Sequence, residues 1–524
     1  MATDLSIAVR KVASVNPATG EVIGEFNCGS EQEVHAAVER ASAAQVRWNQ
    51  QPLSRRIEIL HSFQRLLHER KSDVARLITR EVGKPYVEAL LTEVMVVLDA
   101  TRFYIEQSQS LLRDQPVPHG NVAMKTKDGR IVREPYGVVG IISPWNYPFS
   151  IPATESLAAL VAGNAVVLKP SELTPSVAFE LATLLHNAGV PKDVFQVIPG
   201  DGATGAALIA SSIDKLIFTG SVATGKRIAQ LAAARLLPVV LELGGKDPML
   251  VLDDADIDVA SSGAVWGAFV NAGQACLSVE RCYVHRSLYE KFVDACVEKT
   301  KRLRVGNGMN PDTDVGPLIH ERQLRTVELQ VEDAVERGAR ILQGGVRLTD
   351  LGPNFYAPTI LADVTPQMRV IQEETFGPLL PVAPFDSEEE AIQLANNSEF
   401  GLSASVWTSN RERGLRLAHK IQAGTVMIND MVSCFGISEA PHGGVKSSGI
   451  GRTHGRFGLE EMARIKYVAV DRLPKMKKVW WYGYGETFTR QMEGFVDMQF
   501  ARRVRTKLSG ALRSASVLIR SKKI

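Results

Sequence analysis

Apolar residues recur along this 524-residue chain at two intervals, and the places where the interval changes mark its organisation. Asn16-Pro17-Ala18-Thr19-Gly20 is a turn between two short strand-like runs. Ser30 and Glu33 form a capping box, and Val34, Ala37, Val38 and Ala41 follow at helical spacing. A second predicted helix carries Ile57, Leu60, Phe63 and Leu67 on one face, a third starts at Ser72, and a long apolar helix covers Val87 to Leu112. This N-terminal quarter reads as packing material without chemistry of its own. At Asp114-Gln115-Pro116 the helical pattern breaks, and loose alternation from Val122 to Val132 around Lys127-Asp128-Gly129 predicts a hairpin.

From Gly137 the pattern becomes strand, helix, strand, helix. Apolar runs of strand length occupy 138–142, 165–168, 194–198, 216–218 and 239–243. Such runs, separated by helices, predict a parallel, doubly wound sheet, and ligands of such sheets bind at the carboxyl ends of strands. Asn146, Lys169, Ser221 and Glu242 all follow these runs closely. After Gly244 a second α/β unit begins, with helices expected near 287–303, 321–338 and 387–397 and strands at 402–407 and 424–428. A Gly/Ser-rich loop, Pro441 to Gly449, precedes a last strand at 465–470.

Composition adds mainly exclusions. The length calls for two or more domains. A net charge of +2 gives no global reason to expect nucleic acid, and no run of about 18 apolar residues exists to span a bilayer. Cys28, Cys276, Cys282, Cys296 and Cys434 are odd in number and lack CxxC spacing, which argues against a disulfide framework or a metal site and for a reducing compartment. The N-terminus lacks the design of a signal peptide, so a cytoplasmic location is expected.

One cysteine stands apart. Cys276 follows the small-residue run Asn271-Ala272-Gly273-Gln274-Ala275, where backbone can approach closely. A buried structural cysteine is the commoner role, but two other stretches keep this one company: Pro144-Trp145-Asn146-Tyr147-Pro148 and Leu241-Glu242-Leu243-Gly244-Gly245-Lys246. Together the three resemble the aldehyde dehydrogenase superfamily, from about Asn16 to about Asp471. The resemblance implies two Rossmann-like α/β domains and a small β arm. Residues 1–112 and 135–243 would bind NAD, 244–460 would be catalytic, and 113–134 with 461–475 would form an arm for a homodimer or homotetramer. Residues 476–524 extend beyond the usual family length.

The resemblance also implies roles. Cys276 would attack an aldehyde, Asn146 and the backbone N–H of Cys276 would hold the oxyanion, and Glu242 would be the general base. Retention of Glu242 favours release of a free acid over transfer to coenzyme A. For the cofactor, Gly220, Ser221 and Gly225 match the family's Gly-Ser-x-x-x-Gly at a helix start suited to a pyrophosphate. Lys169 and Glu172 would hold the adenosine ribose, Glu374 the nicotinamide ribose, and Trp145, Leu243 and Phe376 would line the same site. A carboxylate at Glu172 repels a 2′-phosphate, favouring NAD over NADP. No metal is expected.

Succinic semialdehyde enzymes of this superfamily carry an arginine where this chain has Thr154, and the neighbours Tyr147, Ile151, Val270, Leu277, Val432 and Phe435 are mostly apolar. An uncharged aliphatic or aromatic aldehyde is therefore expected. The alternatives are succinic semialdehyde and an idle scaffold tethered to a membrane. The tail motivates the tether: Lys475 to Tyr482 joins basic residues to aromatics, and Phe500, Val504, Leu508, Leu512, Ala515 and Ile519 recur at near-helical spacing among Arg502, Arg503, Arg505, Lys507, Arg513, Arg520, Lys522 and Lys523. That pattern fits a membrane-surface helix or a solvated one.

Overall fold

A computed structural model of the protein describes residues 10–478 and 480–515. They gather into two compact units, one of the residues up to Leu112 with Glu134–Arg464, the other of Arg113–Arg133 with the residues from Ile465 on.

Besides the antiparallel pair Lys11–Val15 and Val22–Asn27, the first unit holds two larger sheets. In the six-stranded sheet the spatial order is Gly449–Ile450, Val239–Glu242, Lys215–Thr219, Val138–Ile142, Ala165–Lys169, Phe195–Val197. Neighbours run parallel except the two-residue edge strand at Gly449, which is antiparallel to Val239–Glu242. The five expected runs form its five parallel strands. Val138–Ile142 and Ala165–Lys169 are buried throughout, because helices such as Glu31–Gln50 and Ser150–Val161 cover the sheet. Val138–Ile142 lies between Ala165–Lys169, the strand that follows it directly, and Lys215–Thr219, the third strand after it, so the winding direction reverses there. A reversal of this kind opens a crevice at the strands' carboxyl ends. Asn146 and Ser221 leave the sheet at that crevice.

The expected capping box at Ser30 and Glu33 is present. The apolar run from Val87 is helical as expected, but it is interrupted by a π turn, Leu90–Val94, between Tyr86–Ala89 and Met95–Leu111. The second sheet has seven strands in the order Arg340–Gln343, Thr359–Ala362, Leu379–Phe385, Val279–His285, Asp247–Val251, Ser403–Trp407, Thr425–Ile428, parallel except the first. Only the last two of these strands were expected from the sequence, and the helices Ile257–Phe269 and Arg411–Ala418 were missed. The central strand reads Val-Glu-Arg-Cys-Tyr-Val-His, and its charges disguise a buried element.

In the second unit a three-stranded sheet has the order Ala463–Asp471, Lys127–Pro135, Gln115–Val117. The hairpin expected around Lys127-Asp128-Gly129 is displaced: these residues lie inside a strand, with Gly129 opposite Val117, while Val122–Met124 forms a 3₁₀ turn. Gly129 serves close packing, since a Cβ there would lie 2.5 Å from the Tyr467 hydroxyl. The tail helix expected from Phe500 starts at Val504 and runs to Ser514, while Phe500 ends a preceding helix, Glu486–Phe500, that was not expected. They meet at paired glycines, where a Cβ on Gly510 would lie 2.4 Å from the Gly494 carbonyl oxygen. Ile519, Arg520, Lys522 and Lys523 lie outside the described residues. No helix among the described residues is long and apolar enough to cross a membrane.

Candidate active site

The turn carrying Cys276 is bent by three successive left-handed residues, Asn271, Ala272 and Gly273, with φ of 53°, 55° and 73°. Gly273 has no substitute, because a Cβ would fall 2.1 Å from the Gly377 carbonyl oxygen. Side chains secure the bend. The Asn271 amide donates to the carbonyls of Asn146 (3.1 Å) and Gln274 (3.0 Å), and its backbone N–H donates to Glu88 at 2.9 Å. Asn146 answers from across the crevice, its Nδ2 donating to the Gln274 carbonyl at 3.1 Å. Cys276 and Asn146 are thus tied through one carbonyl. Cys276 is half-buried, and desolvation, with the charges of Asp247, Glu374 and Glu242 behind it, pushes its thiol well above the usual range.

The π turn explains how Asn146 is set. It turns Glu93 inward, where one oxygen accepts from Lys84 at 2.8 Å and the other from the backbone N–H groups of Phe149 and Ser150 at 2.9 Å each. A carboxylate therefore caps the helix that begins just after Asn146. Lys84 also lies 3.8 Å from the centre of the Tyr147 ring.

Glu242 ends its strand with both carboxylate oxygens buried and, among the described residues, without a hydrogen-bond partner. Burial raises its pKa well above the ordinary value, the charge of Glu155 adds to this, and Arg452 opposes it. Gly443 permits the approach of the loop beyond it, since a Cβ would sit 2.8 Å from a Glu242 oxygen.

Cavities converge on the thiol. One, of about 230 Å³, is lined by Trp145, Asn146, Gly220, Ser221, Glu242, Leu243, Cys276, Glu374 and Phe376. A second, of about 500 Å³, runs from Cys276 past Tyr147, Ile151 and Phe435 to Leu91, Met95, Trp266 and Ile437. A third, much smaller, lies behind Cys276 and Glu242. Nine of the twelve candidate residues line the first cavity; Lys169, Glu172 and Gly225 do not. Lys169 donates to the Gly200 carbonyl at 2.9 Å and faces Glu172 at 3.8 Å. Gly225 lies in the Val222–Ala233 helix, where a Cβ would meet the Leu243 side chain at 2.4 Å.

Several residues that organise the site have no role assigned from the sequence, Lys246 of the 241–246 motif among them. Lys246 forms a fully buried pair with Glu280 at 2.6 Å, and Glu280 also accepts from the N–H groups of Thr375 and Phe376 at 2.8 and 2.9 Å. This pair pins the loop that presents Glu374 and Phe376, the latter at φ 53° with its ring edge-on to Trp145 at 5.5 Å. Glu374 is pushed up to about 8, chiefly by burial and then by Glu280. Lys446 lies apart from this cluster and donates to the carbonyls of Asn396 and Ser398. Cys434 packs in one apolar cluster with Cys276, while Cys28, Cys282 and Cys296 are buried elsewhere. The N-terminal quarter is more than packing: Lys84, Glu88, Leu91, Glu93 and Met95 all reach the site.

Comparison with known proteins agrees with this arrangement. Residues 6–468 match the model of the aldehyde dehydrogenase family. A 4,4'-diapolycopene aldehyde oxidase of Methylomonas sp is 39% identical over 486 residues, covering 93% of this chain and 91% of that protein. A Mycolicibacterium smegmatis protein named "Putative succinate-semialdehyde dehydrogenase", NADP(+), is 39% identical over 456 residues, covering 87% of this chain and 88% of that protein. The NAD+ complex structure of an aldehyde dehydrogenase from Bacillus cereus superposes with a TM-score of 0.84 at 38% identity, covering 88% and 93% of the two chains. The chain belongs to the aldehyde dehydrogenase family, oxidoreductases that act on aldehydes.

Proposed function

We propose that the protein oxidises an uncharged aldehyde to its carboxylic acid through a covalent intermediate on Cys276, with NAD as acceptor and NADP as the alternative. The observation that carries this reading is the meeting of a polar cavity and an apolar one at Cys276.

The polar cavity fits a nicotinamide dinucleotide. Gly220 and Ser221 leave backbone exposed at the start of a 12-residue helix, a ready anion site. Glu374 faces the cavity with its carboxylate accepting from the Gly245 N–H at 3.2 Å, and a Cβ on Gly244 would close this approach at 2.5 Å. The NAD complex of the Bacillus cereus relative supports the assignment. When bound, the cofactor supplies the hydride acceptor that turns a thiohemiacetal into a thioester.

The remaining chemistry belongs to the chain. Cys276 Sγ bonds to the carbonyl carbon, and the thiol proton passes to Glu242. The resulting oxyanion accepts hydrogen bonds from Asn146 Nδ2 and the Cys276 N–H. In the second half-reaction Glu242, once the thiol proton has left it for solvent, takes a proton from water as the water oxygen attacks the thioester carbon, and the sulfur departs as thiolate.

The apolar cavity supports an aliphatic or aromatic substrate. Among the described residues that line it, none is basic, and its one charged residue, Asp430, would repel a substrate carboxylate. Succinic semialdehyde remains the second reading because a 39% identical relative is named for it. A homo-oligomer through the 113–134 and 461–475 arm is proposed from the family. Contact of residues 476–524 with an anionic membrane is proposed from Val504, Leu508 and Leu512, 71%, 62% and 81% exposed on one helical face beside Arg502, Arg503, Arg505 and Lys507.

Purified protein should reduce NAD with hexanal or benzaldehyde, the Cys276→Ala variant should not, and succinic semialdehyde should be a poor substrate. Turnover that survives the variant would remove the covalent route, and a preference for succinic semialdehyde would replace the substrate class.

A further inference from the structure

The third cavity is a narrow space of about 20 Å³, room for about one water molecule. Its walls include Glu155, Glu242, His442 and His454, with relative exposures of 4%, 4%, 6% and 4%. Both Glu242 oxygens, Oε2 of Glu155 and Nε2 of His454 lack a hydrogen-bond partner among the described residues. Buried polar atoms are nearly always partnered, and four orphans around one water-sized space are not explained by packing. Glu155 lies on the Ser150–Val161 helix, and its Oε1 accepts from the Thr219 hydroxyl at 3.3 Å. Thr219 is the register partner of Glu242 on the neighbouring strand, so the two carboxyl groups flank one threonine. His442 Nε2 is 3.9 Å from Glu242 Oε2, and its ring stands 5.8 Å from that of His454.

We propose that Glu155 is the proton partner of Glu242: the two carboxyl groups hold one proton between them across this chamber, and its transfer to Glu155 frees Glu242 to act on water. In that transfer an O–H bond on Glu242 breaks and one on Glu155 forms. The negative charge moves the other way, and no electrons change hands. The role as base rests on the aldehyde dehydrogenase reading; the sharing of the proton does not.

The surrounding groups allow it. Burial holds Glu155 at about 8, and Tyr104 stands behind it. Glu242 is faced by Cys276, His442, His454 and Arg452. Burial pulls the two histidines down to about 4 and about 3, so near neutral pH both are uncharged and the negative charge stays on the carboxyl pair. Two carboxylates this enclosed titrate as a unit.

The test compares parent protein, Glu155→Gln and Glu155→Asp. Infrared difference titration, with Glu242→Gln used to identify the Glu242 carbonyl band, reads the pairing without turnover. In Glu155→Gln the Glu242 band should ionise about one pH unit lower, a tenfold change in ionised fraction. The acid limb of aldehyde oxidation should move down by the same amount while kcat falls about tenfold or more, and Glu155→Asp should recover most of kcat. A Glu242 band that titrates identically in Glu155→Gln would overturn the pairing, as would an unmoved pH profile. A protein that keeps the coupled titration but oxidises no aldehyde would retain the pairing and lose the proposed function.

Discussion

Replacing Asn146 with alanine separates catalysis from stability, because the structure shows what else holds the site. An amide carries two N–H donors. One of those on Asn146 serves the Gln274 carbonyl at 3.1 Å, leaving the other for an oxyanion beside Cys276. In the variant the Gln274 carbonyl keeps its bond from Asn271 at 3.0 Å, and the Asn146 carbonyl keeps its own at 3.1 Å. No buried group is orphaned, so the cost to stability should be about 1 kcal/mol, a shift of a few degrees at most in a chain this long. The oxyanion loses a donor, worth about 3–4 kcal/mol or 10²- to 10³-fold in kcat. Reduced-cofactor absorbance gives kcat/KM, and a thermal melt gives the stability. A kcat/KM within about threefold of the parent would refute the oxyanion role, on the scale a lost donor sets. A melt that collapses along with activity would refute the claim that the bend holds without Asn146.

Glu280→Ala strands the buried Lys246 charge and frees the Thr375 and Phe376 N–H groups. Chemical denaturation should show a loss of about 3–5 kcal/mol, with a raised KM for the dinucleotide; a loss below about 1 kcal/mol would mean that the loop is held by something else. Glu172→Gln removes a half-exposed carboxylate beside Lys169 and should raise the NADP:NAD ratio of kcat/KM about tenfold, one charge contact at a wet surface; an unchanged ratio would place cofactor choice elsewhere. Burial raises Glu88 to about 7 and Glu155, Asp247 and Glu374 to about 8. The folded state thus binds more protons than the unfolded state between about pH 4.5 and 8, so these groups make stability fall as pH rises through that window. Glu155→Gln should recover on the order of 2–4 kcal/mol at pH 8 and little at pH 5; equal gains at both would show that its charge is not the cause.

The parallel strands around Asn146 and Glu242 were legible because each is a short apolar run, and Cys276 because its flanks match a motif. Positions that depend on long-range partners were not. Glu93 looks like one polar residue in an apolar helix until it is seen capping a helix 56 residues away. Glu280 and Arg281 hide a central strand, because burial of a charge becomes tolerable only when Lys246 and the carbonyls of Lys246, Leu394 and Ala395 meet it. The tail misled differently: its apolar spacing continues through 501–503, but the chain turns there and packs Gly510 on Gly494.

The left-handed bend before the nucleophile also constrains how this sequence can drift. A side chain in that conformation costs roughly 1–2 kcal/mol, and Ala272 bears it without a side-chain hydrogen bond to offset it. Glycine at 272 would relieve the strain and loosen the turn. Because Asn271 ties the bend to Asn146 and Glu88, a change at one of these sites alters what the others can tolerate. Positions 88, 146, 271 and 272 should therefore covary among descendants of this chain, exchanging residues together or not at all.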